Sequence, residues 1–390
     1  MTGLDDDRIA TAGDDDPARR RAWSWIAAGL VVAVAVVVIA VRLTGSAPIA
    51  HCGGDRADCL VVRHDAESSK QLAPLHGVVA GVGRSGLVEV VALDAAGRPW
   101  HVTETAIDRW SAWQPLGAEL HARSLAVARD NDGRLAVLAI DDHGALDAID
   151  ELPLHGWTEW SRLRITADHV TSVLDPERRN RLYAIDAGSV VELRQDRPDQ
   201  GYGEWTQVPA PPTTALVALA DEHQVHLFGI SRGQAWHLEL GNGWSAVRLL
   251  PASAPLLSID AARSGDGSIH VVAVDREHRA ITTRVGSTEW GPLGDPEAIA
   301  VLHLLQREPV PLDATVATTT HRLLQLDQGN DSSHWNRGWE ELVGAAPLDG
   351  VTDLARARDD SGSSYVIVVT LRGETWVRRF DGGTHGFHLL

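Results

Sequence analysis

Most of the side chains in this 390-residue chain that could do chemistry are carboxylates, 53 of them, together with 18 histidines. Paired carboxylates are what acid–base cleavage of a glycosidic bond requires, and imidazoles serve in proton transfer or metal binding. None of these residues falls in a G-x-S-x-G, P-loop or H-E-x-x-H motif. The nearest approach to a sialidase Asp box, residues 358–365 (RDDSGSSY), occurs once and lacks the leading Ser or Thr. We therefore predict a protein that is not an enzyme, with a sialidase-like glycosidase as the minor alternative.

The sequence gives little support to metal or cofactor chemistry. Asp-rich turns such as residues 130–133 (DNDG) could offer oxygen ligands to Ca²⁺, but hairpin turns use the same residues without an ion. The only thiols, Cys52 and Cys59, are too few for a four-cysteine zinc site or an iron–sulfur cluster. We predict no cofactor and no bound metal. A disulfide between Cys52 and Cys59 is expected, with two free thiols as the alternative.

The charge balance argues against nucleic acid as a partner. Lys and Arg together number 35 against 53 Asp and Glu, a formal net charge of -18. A phosphate backbone would be repelled by such a chain, because binding depends on basic side chains that release counterions.

A twenty-residue apolar stretch without a charge, residues 22–41 (AWSWIAAGLVVAVAVVVIAV), predicts a transmembrane helix. At 1.5 Å per residue it spans roughly 30 Å, the thickness of the hydrocarbon core of a bilayer. Arg19, Arg20 and Arg21 precede it and only Arg42 follows directly, so the N-terminus is expected to be cytoplasmic. A cleaved signal peptide is the alternative. The predicted domains are a cytoplasmic tail at 1–21, the helix at 22–41, an extracytoplasmic stalk at 42–70 and a repeat domain at 71–390.

The repeat domain shows the same pattern seven times. One aromatic recurs at intervals of 47, 45, 39, 46, 49 and 48 residues. These aromatics are Trp113, Trp160, Trp205, Trp244, Trp290, Trp339 and Phe387. A second register follows the turns GRPW, GALD, GSVV, GQAW, HRAI, HRLL and GETW. Each unit is about 46 residues long, which is near the length of a four-stranded propeller blade.

Short apolar runs separated by turn residues predict four strands in each unit. In the second unit these are SLAVARD, RLAVLAID, ALDAIDEL and WTEWSRL. The predicted fold is all-β, a seven-bladed β-propeller, with six blades or tandem sandwiches as alternatives. Because one unit is too small to bury its own core, blades must stack on each other, and we expect the repeated aromatic to fill the seams between them.

The second unit, RDNDGRLAVLAIDDHGALDAIDELPLHGWTEWSRL, resembles the repeat of tectonin-like and fucose-binding bacterial propeller lectins. In that repeat a D-G-R-L-x-V strand, a D-x-x-G-x-L-W-H turn and a G-W-S-x-W-x-x-L segment follow one another. The resemblance covers residues 71–390. It implies a seven-bladed propeller with glycan sites in pockets between the blades.

Three units keep the tryptophan of that turn, and they supply the candidate ligand-binding residues Trp100, His101, Trp236, His237 and Trp376. A solvent-facing indole offers its flat face to the C–H side of a sugar, and a neighbouring imidazole can bind hydroxyls. The structural alternative is that these indoles pack on their own hairpins.

The sequence thus predicts a single-pass protein of the plasma membrane with an extracytoplasmic propeller that recognises a glycan or an envelope protein. Lectin-like glycan binding is favoured, and a non-catalytic protein-interaction scaffold is the alternative. The strong preference for Arg over Lys suggests a high-GC bacterium, so the setting would be a cell envelope. The lipid bilayer would be contacted through residues 22–41.

Overall fold

The computed structural model describes residues 74–390, apart from 118, 154–155, 288, 296, 308–309, 330–334, 337, 343–349 and 382–384. The predicted tail, transmembrane helix and stalk, with Cys52 and Cys59, lie outside the described residues. No helix within the described part of the chain has the length and apolar character that a bilayer crossing requires. The regular structure described consists of strands.

Within the described residues, twenty-nine strands form seven antiparallel sheets, and each sheet is built from consecutive strands. We number these sheets as blades 1 to 7. Blade 1 comprises β1 His76–Val82, β2 Val88–Leu93, β3 Pro99–Ala106, β4 Arg109–Trp110 and β5 Gln114–Pro115; blade 2 comprises β6 Ala122–Arg129, β7 Leu135–Asp141, β8 Ala145–Asp150 and β9 Ser161–Thr166; blade 3 comprises β10 His169–Leu174, β11 Asn180–Asp186, β12 Ser189–Arg194 and β13 Thr206–Gln207; blade 4 comprises β14 Ala215–Ala220, β15 Val225–Ser231, β16 Gln234–Leu240 and β17 Arg248–Leu250. Blade 5 comprises β18 Leu256–Arg263, β19 Ile269–Asp275, β20 Ala280–Arg284 and β21 Gly291–Pro292; blade 6 comprises β22 Ile299–Arg307, β23 Val310–Thr318, β24 Leu323–Asp327 and β25 Glu340–Glu341; blade 7 comprises β26 Val351–Arg358, β27 Ser364–Thr370, β28 Thr375–Phe380 and β29 His388–Leu389.

The first strands of the blades form the inner ring. Each contacts the first strand of the next blade, and β26 contacts β1, so the ring closes after seven blades. The second strand of each blade is covered on both faces, as the wholly buried β2 (VEVVAL) and β19 (IHVVAVD) show. Their continuous apolar runs are typical of strands that lie between two packed layers. The predicted seven-bladed propeller is confirmed, and the six-bladed and sandwich alternatives are wrong.

Apolar side chains of neighbouring blades meet in a separate cluster at every seam. In the seam of blades 2 and 3, for example, Leu138 and Ile140 pack with Val170 and Leu182. In the closing seam, Val90 of blade 1 packs with Tyr365 and Ile367 of blade 7. Stability is therefore shared between blades, because no blade carries a core of its own.

The same backbone hydrogen bond also recurs at all seven seams. In each blade, the turn after the second strand contains a residue with a positive φ. The carbonyl of this residue accepts a hydrogen bond from a backbone N–H of the next blade. The donor lies at, or just before, the start of the first strand of that next blade. The seven pairs are Gly97–Ala122, Gly144–Ala167, Gly188–Thr213, Gly233–Leu256, His278–Ile299, His321–Val351 and Gly373–Leu75. The acceptors are the first letters of the turns GRPW, GALD, GSVV, GQAW, HRAI, HRLL and GETW, so the predicted second register is confirmed.

Candidate functional site

Each of the seven repeated aromatics lies in or against the apolar cluster of one seam. Six of them directly precede the last strand of their blade. Four indole N–H groups donate to a carbonyl of the preceding blade: Trp160 to Leu116 (3.0 Å), Trp205 to Leu163 (2.8 Å), Trp290 to Leu250 (3.2 Å) and Trp339 to Asp295 (3.0 Å). These hydrogen bonds connect each blade to the preceding one.

Trp244 departs from this series. It lies three residues before the position that corresponds to Trp160, and Val247, which is exposed, occupies that position in front of β17. The alignment of the repeats therefore placed Trp244 in the wrong register. In blade 4 the residue directly before the last strand is not aromatic, and the aromatic lies three residues earlier.

Trp236 does not fit the expectation of a solvent-facing indole. Its side chain is 0% exposed and packs with Tyr183 and Leu216 in the seam between blades 3 and 4. The indole lies so close to Gly229 on the neighbouring strand that a Cβ there would stand 2.5 Å from its ring. The prediction that Trp236 offers a face to a ligand is therefore wrong.

Trp100 and Trp376 occupy the equivalent positions of blades 1 and 7 and are half-buried. Trp100 donates its indole N–H to Asp94 Oδ2 at 3.1 Å, and Trp376 donates to Glu374 Oε2 at 3.2 Å. Both partners belong to the hairpin turn that precedes the tryptophan, so both indoles are tied to their own hairpin. A ligand-binding role of these two residues stays a prediction.

His101 and His237 lie on the opposite face of the blade from the tryptophans that precede them, because successive strand residues alternate between faces. His101 faces the seam with blade 2, where its ring meets Trp157 edge to face with the centroids 5.7 Å apart. His237 stacks on Phe228, which belongs to the cluster shared with blade 5. The Trp–His pairs of the sequence therefore do not form a common pocket.

A second aromatic series, which the sequence analysis did not identify, closes the seams on the side of these histidines. Its members are Trp110, Trp157, Tyr202, Trp244 and Trp335, each three or four residues before the position of the first series. Four of them meet an aromatic or imidazole ring of the preceding blade edge to face, in the pairs Trp157–His101, Trp244–Tyr183, Trp335–His270 and Trp110–Tyr365. The spacing W-x-x-W in DRWSAW and GWTEW is the signal that could have found them.

Polar side chains of the second and third strands lie beneath these rings. In the seam of blades 3 and 4, Tyr183 contacts Trp244 and donates its hydroxyl to Glu192 Oε1 at 3.1 Å. Arg181 forms an ion pair with the same carboxylate and, through Nε, with Asp175 Oδ2 at 2.7 Å. Burial and the adjacent Glu192 charge raise the pKa of Tyr183, so its hydroxyl stays protonated and acts as a donor.

The seam of blades 1 and 2 has a related arrangement. Glu89 accepts the hydroxyl of Thr103 at 2.7 Å, and its other oxygen lies 3.4 Å from His101 Nδ1. The half-buried Trp157 closes this group from the next blade. Carboxylate, hydroxyl and imidazole thus meet an aromatic ring at a rim that solvent reaches.

Three carboxylates at other seams have raised pKa values. Burial raises the pKa of Asp130 and Asp150, and the ring of Tyr202 lies near both. Burial also raises the pKa of Glu104, whose oxygens accept the Tyr365 hydroxyl at 3.0 and 3.1 Å. These acids are engaged in contacts between blades, which accounts for their environment without a catalytic role.

Comparison with known proteins identifies the fold. No family model matches the chain, and no curated protein matches it in sequence. Among solved structures, the BP39L lectin from Burkholderia pseudomallei aligns with a TM-score of 0.66 at 14% identity, over 81% of this chain and 98% of that chain. The BBS1N structure in complex with ARL6DN aligns with a TM-score of 0.57 at 12% identity, over 80% of this chain and 94% of that chain.

One of these relatives is a lectin, and the other was solved with a protein partner. The same fold therefore serves two kinds of recognition, and likeness at such low identity concerns the fold alone. What the comparison shows is that residues 74–390 belong among the propellers, to which lectins also belong.

Proposed function

We propose that this protein is a non-catalytic recognition module whose propeller binds glycans at the seams between blades. The observation that carries the proposal is the group at the seam of blades 3 and 4, where the half-buried Trp244 indole meets Tyr183, whose hydroxyl donates to the carboxylate of a buried Arg–Glu pair. A sugar needs an apolar surface for its C–H face and both donors and acceptors for its hydroxyls. Trp244 supplies the first, and Arg181 with Glu192 supplies the others.

The group at the seam of blades 1 and 2 supports a second site of the same kind. Glu89, Thr103 and His101 provide acceptor and donor groups, and Trp157 provides the ring. Two sites on one propeller would raise the avidity for a glycan-coated surface well above the affinity of either site.

We further propose that the propeller is displayed outside the cytoplasm, anchored by residues 22–41 with the N-terminus inside. This part of the proposal rests on the apolar stretch and the arginines before it. A protein partner in the envelope remains the second candidate, supported by the fold shared with BBS1N, whose structure was solved with ARL6DN.

The test is a glycan array probed with the purified full-length protein and with Trp244→Ala. We expect the wild-type protein to bind a defined set of glycans, and Trp244→Ala to lose about two- to twelvefold in affinity at this seam, since contact with an aromatic ring contributes about 0.5–1.5 kcal/mol. Trp335→Ala is the matched control, because it stands in the same series but faces His270 in place of an Arg–Glu pair.

Binding lost equally in both variants would point to a structural role of the rings. A folded wild-type protein that binds no glycan on the array would overturn the proposal and favour the protein scaffold.

A further inference from the structure

Blade 4 carries three potential metal ligands on one face of its sheet, at cross-strand neighbours. His226 lies on β15, opposite Glu239 on β16, and His237 precedes Glu239 by two residues and so points to the same face. Among the described residues no other blade places three His, Asp or Glu side chains at these positions. The equivalents are, for example, Glu89, His101 and Thr103 in blade 1 and His270, Thr282 and Arg284 in blade 5.

The donor atoms of these side chains converge. His226 Nδ1 lies 3.1 Å from His237 Nε2, and His237 Nε2 lies 3.8 Å from Glu239 Oε1. All three donor atoms lie within 4.8 Å of one another. Ligand atoms around a tetrahedral Zn²⁺ stand about 3.4 Å apart, as bonds of about 2.0–2.1 Å require. The separations of His237 Nε2 from His226 Nδ1 and from Glu239 Oε1 bracket that value, so these two pairs are close to the spacing that the ion requires.

A fourth residue orients the first histidine. Asp221 Oδ2 accepts the His226 Nε2 proton at 3.0 Å, which leaves the Nδ1 lone pair of His226 directed at the other ligands. Carboxylate partners of this kind fix the tautomer of metal-binding histidines.

The histidines lie at the seam between blades 4 and 5, and this seam lacks the aromatic side chain that closes other seams. In blade 5 the position three residues before Trp290 is Ser287, beside Gly286, and a Cβ added to Gly286 would meet nothing within 4 Å. Both histidines are buried, while the side chain of Glu239 is 37% exposed. An ion could therefore enter past Glu239 and keep one coordination position open to solvent.

We propose that His226 Nδ1, His237 Nε2 and the Glu239 carboxylate form a binding site for Zn²⁺ or a related first-row divalent ion. Two imidazoles and one carboxylate favour such ions over Ca²⁺ or Mg²⁺, which prefer oxygen ligands throughout. Without metal, His237 Nε2–H donates to His226 Nδ1. On binding, the His237 proton moves to Nδ1 of the same ring and the ring stays neutral. This site is independent of the proposed glycan-binding seam.

The test is titration of the metal-free full-length protein with Co²⁺, followed by its visible absorption, and with Zn²⁺ in competition with a chromophoric chelator. We expect one ion per chain and the Co²⁺ absorption of a four-coordinate site. Glu239→Gln, a change at a partly exposed side chain, should weaken Zn²⁺ binding at least about tenfold, and His226→Gln should abolish it. Far-UV circular dichroism checks that both variants are folded.

Two controls separate this site from other ligands of the chain. His270→Gln changes the equivalent histidine of blade 5 and should leave the affinity unchanged. The double variant Cys52→Ser, Cys59→Ser should also keep the ion. Absence of stoichiometric binding to the folded wild-type protein, equal affinity in Glu239→Gln, or loss of the ion in the cysteine variant would each overturn the proposal.

Discussion

His237 shows how one residue's environment sets its chemistry. Its ring stacks on Phe228 with the centroids 4.4 Å apart, and its Nε2 faces His226. Protonation would place a charge on a buried ring close to His226 and Arg248, which lowers the pKa of His237 to about 3. In the unfolded chain a histidine has a pKa of about 6.5.

This difference predicts a pH dependence of stability in metal-free buffer. As the pH falls below about 6.5, the unfolded chain takes up a proton at His237 that the folded chain does not. The free energy of unfolding should therefore fall by about 1.4 kcal/mol per pH unit from this residue alone. In His237→Gln this contribution is absent, so the slope measured by urea unfolding between about pH 6 and pH 4.5 should be shallower by that amount.

His223→Gln is the control, because His223 is exposed on the preceding turn. Its slope should match that of the wild-type protein. Equal slopes for His237→Gln and the wild-type protein would contradict the account of a neutral buried ring.

At the scale of the element, several hairpins between the second and third strands are built around one aspartate. Asp275 Oδ1 accepts the backbone N–H groups of Glu277 (3.0 Å) and Arg279 (2.9 Å), and its Oδ2 accepts Arg279 Nε (2.9 Å). Asp94 binds its turn in the same way through Ala96 and Arg98. Burial alone would raise the pKa of Asp275, but these hydrogen bonds outweigh it and lower the pKa.

Removing this carboxylate should weaken the hairpin. Asp275 is buried, so Asp275→Ala would leave two backbone donors without a partner, and we expect a loss of about 1–3 kcal/mol in the free energy of unfolding by urea. Glu277→Ala changes an exposed side chain of the same turn and should cost less than about 0.5 kcal/mol. Similar losses for the two variants would show that the aspartate does not organise the turn.

At the scale of the whole molecule, closure of the ring depends on a close approach between the two ends of the described chain. The carbonyl of Gly373 in blade 7 accepts the N–H of Leu75 at 3.1 Å. A Cβ at Gly373 would lie 2.3 Å from Pro74 Cα and 2.6 Å from Leu75 N, and these are backbone atoms that cannot move aside. This glycine also has a φ of +73°.

Gly373→Ala should therefore open the closing seam. We expect it to lower the free energy of unfolding by at least about 3 kcal/mol in urea titration, because steric overlap adds to the strain of a positive φ. Gly188→Ala is the matched variant: Gly188 forms the same seam hydrogen bond with a φ of +84°, but a Cβ there meets nothing within 4 Å. It should cost only about 1–2 kcal/mol, the strain of the left-handed backbone. If both variants lose the same free energy, close packing at the closing seam is not what makes Gly373 necessary.

The sequence by itself predicted seven blades, the register of the turns and four strands in each blade. The strand number holds for blades 2 to 7, whereas blade 1 has five strands because Arg109–Trp110 forms the additional β4. The turn register placed His278 and His321 at the positions of the turn glycines, and both have the same positive φ. These properties repeat within about 46 residues, so they depend on local turn chemistry and strand periodicity that one unit contains.

Only the tertiary structure decided which of the candidate side chains are exposed at a seam. Trp100 and Trp236 are alike in sequence, yet one is half-buried and the other is fully enclosed. Trp244 took the second aromatic position, and the three ligands of blade 4 meet at a seam where the next blade offers Ser287 in place of an aromatic. The exposure of a seam residue depends on the shape of the neighbouring blade. The residues of that blade lie about one repeat away in sequence, and they cover the seam only when the ring is closed.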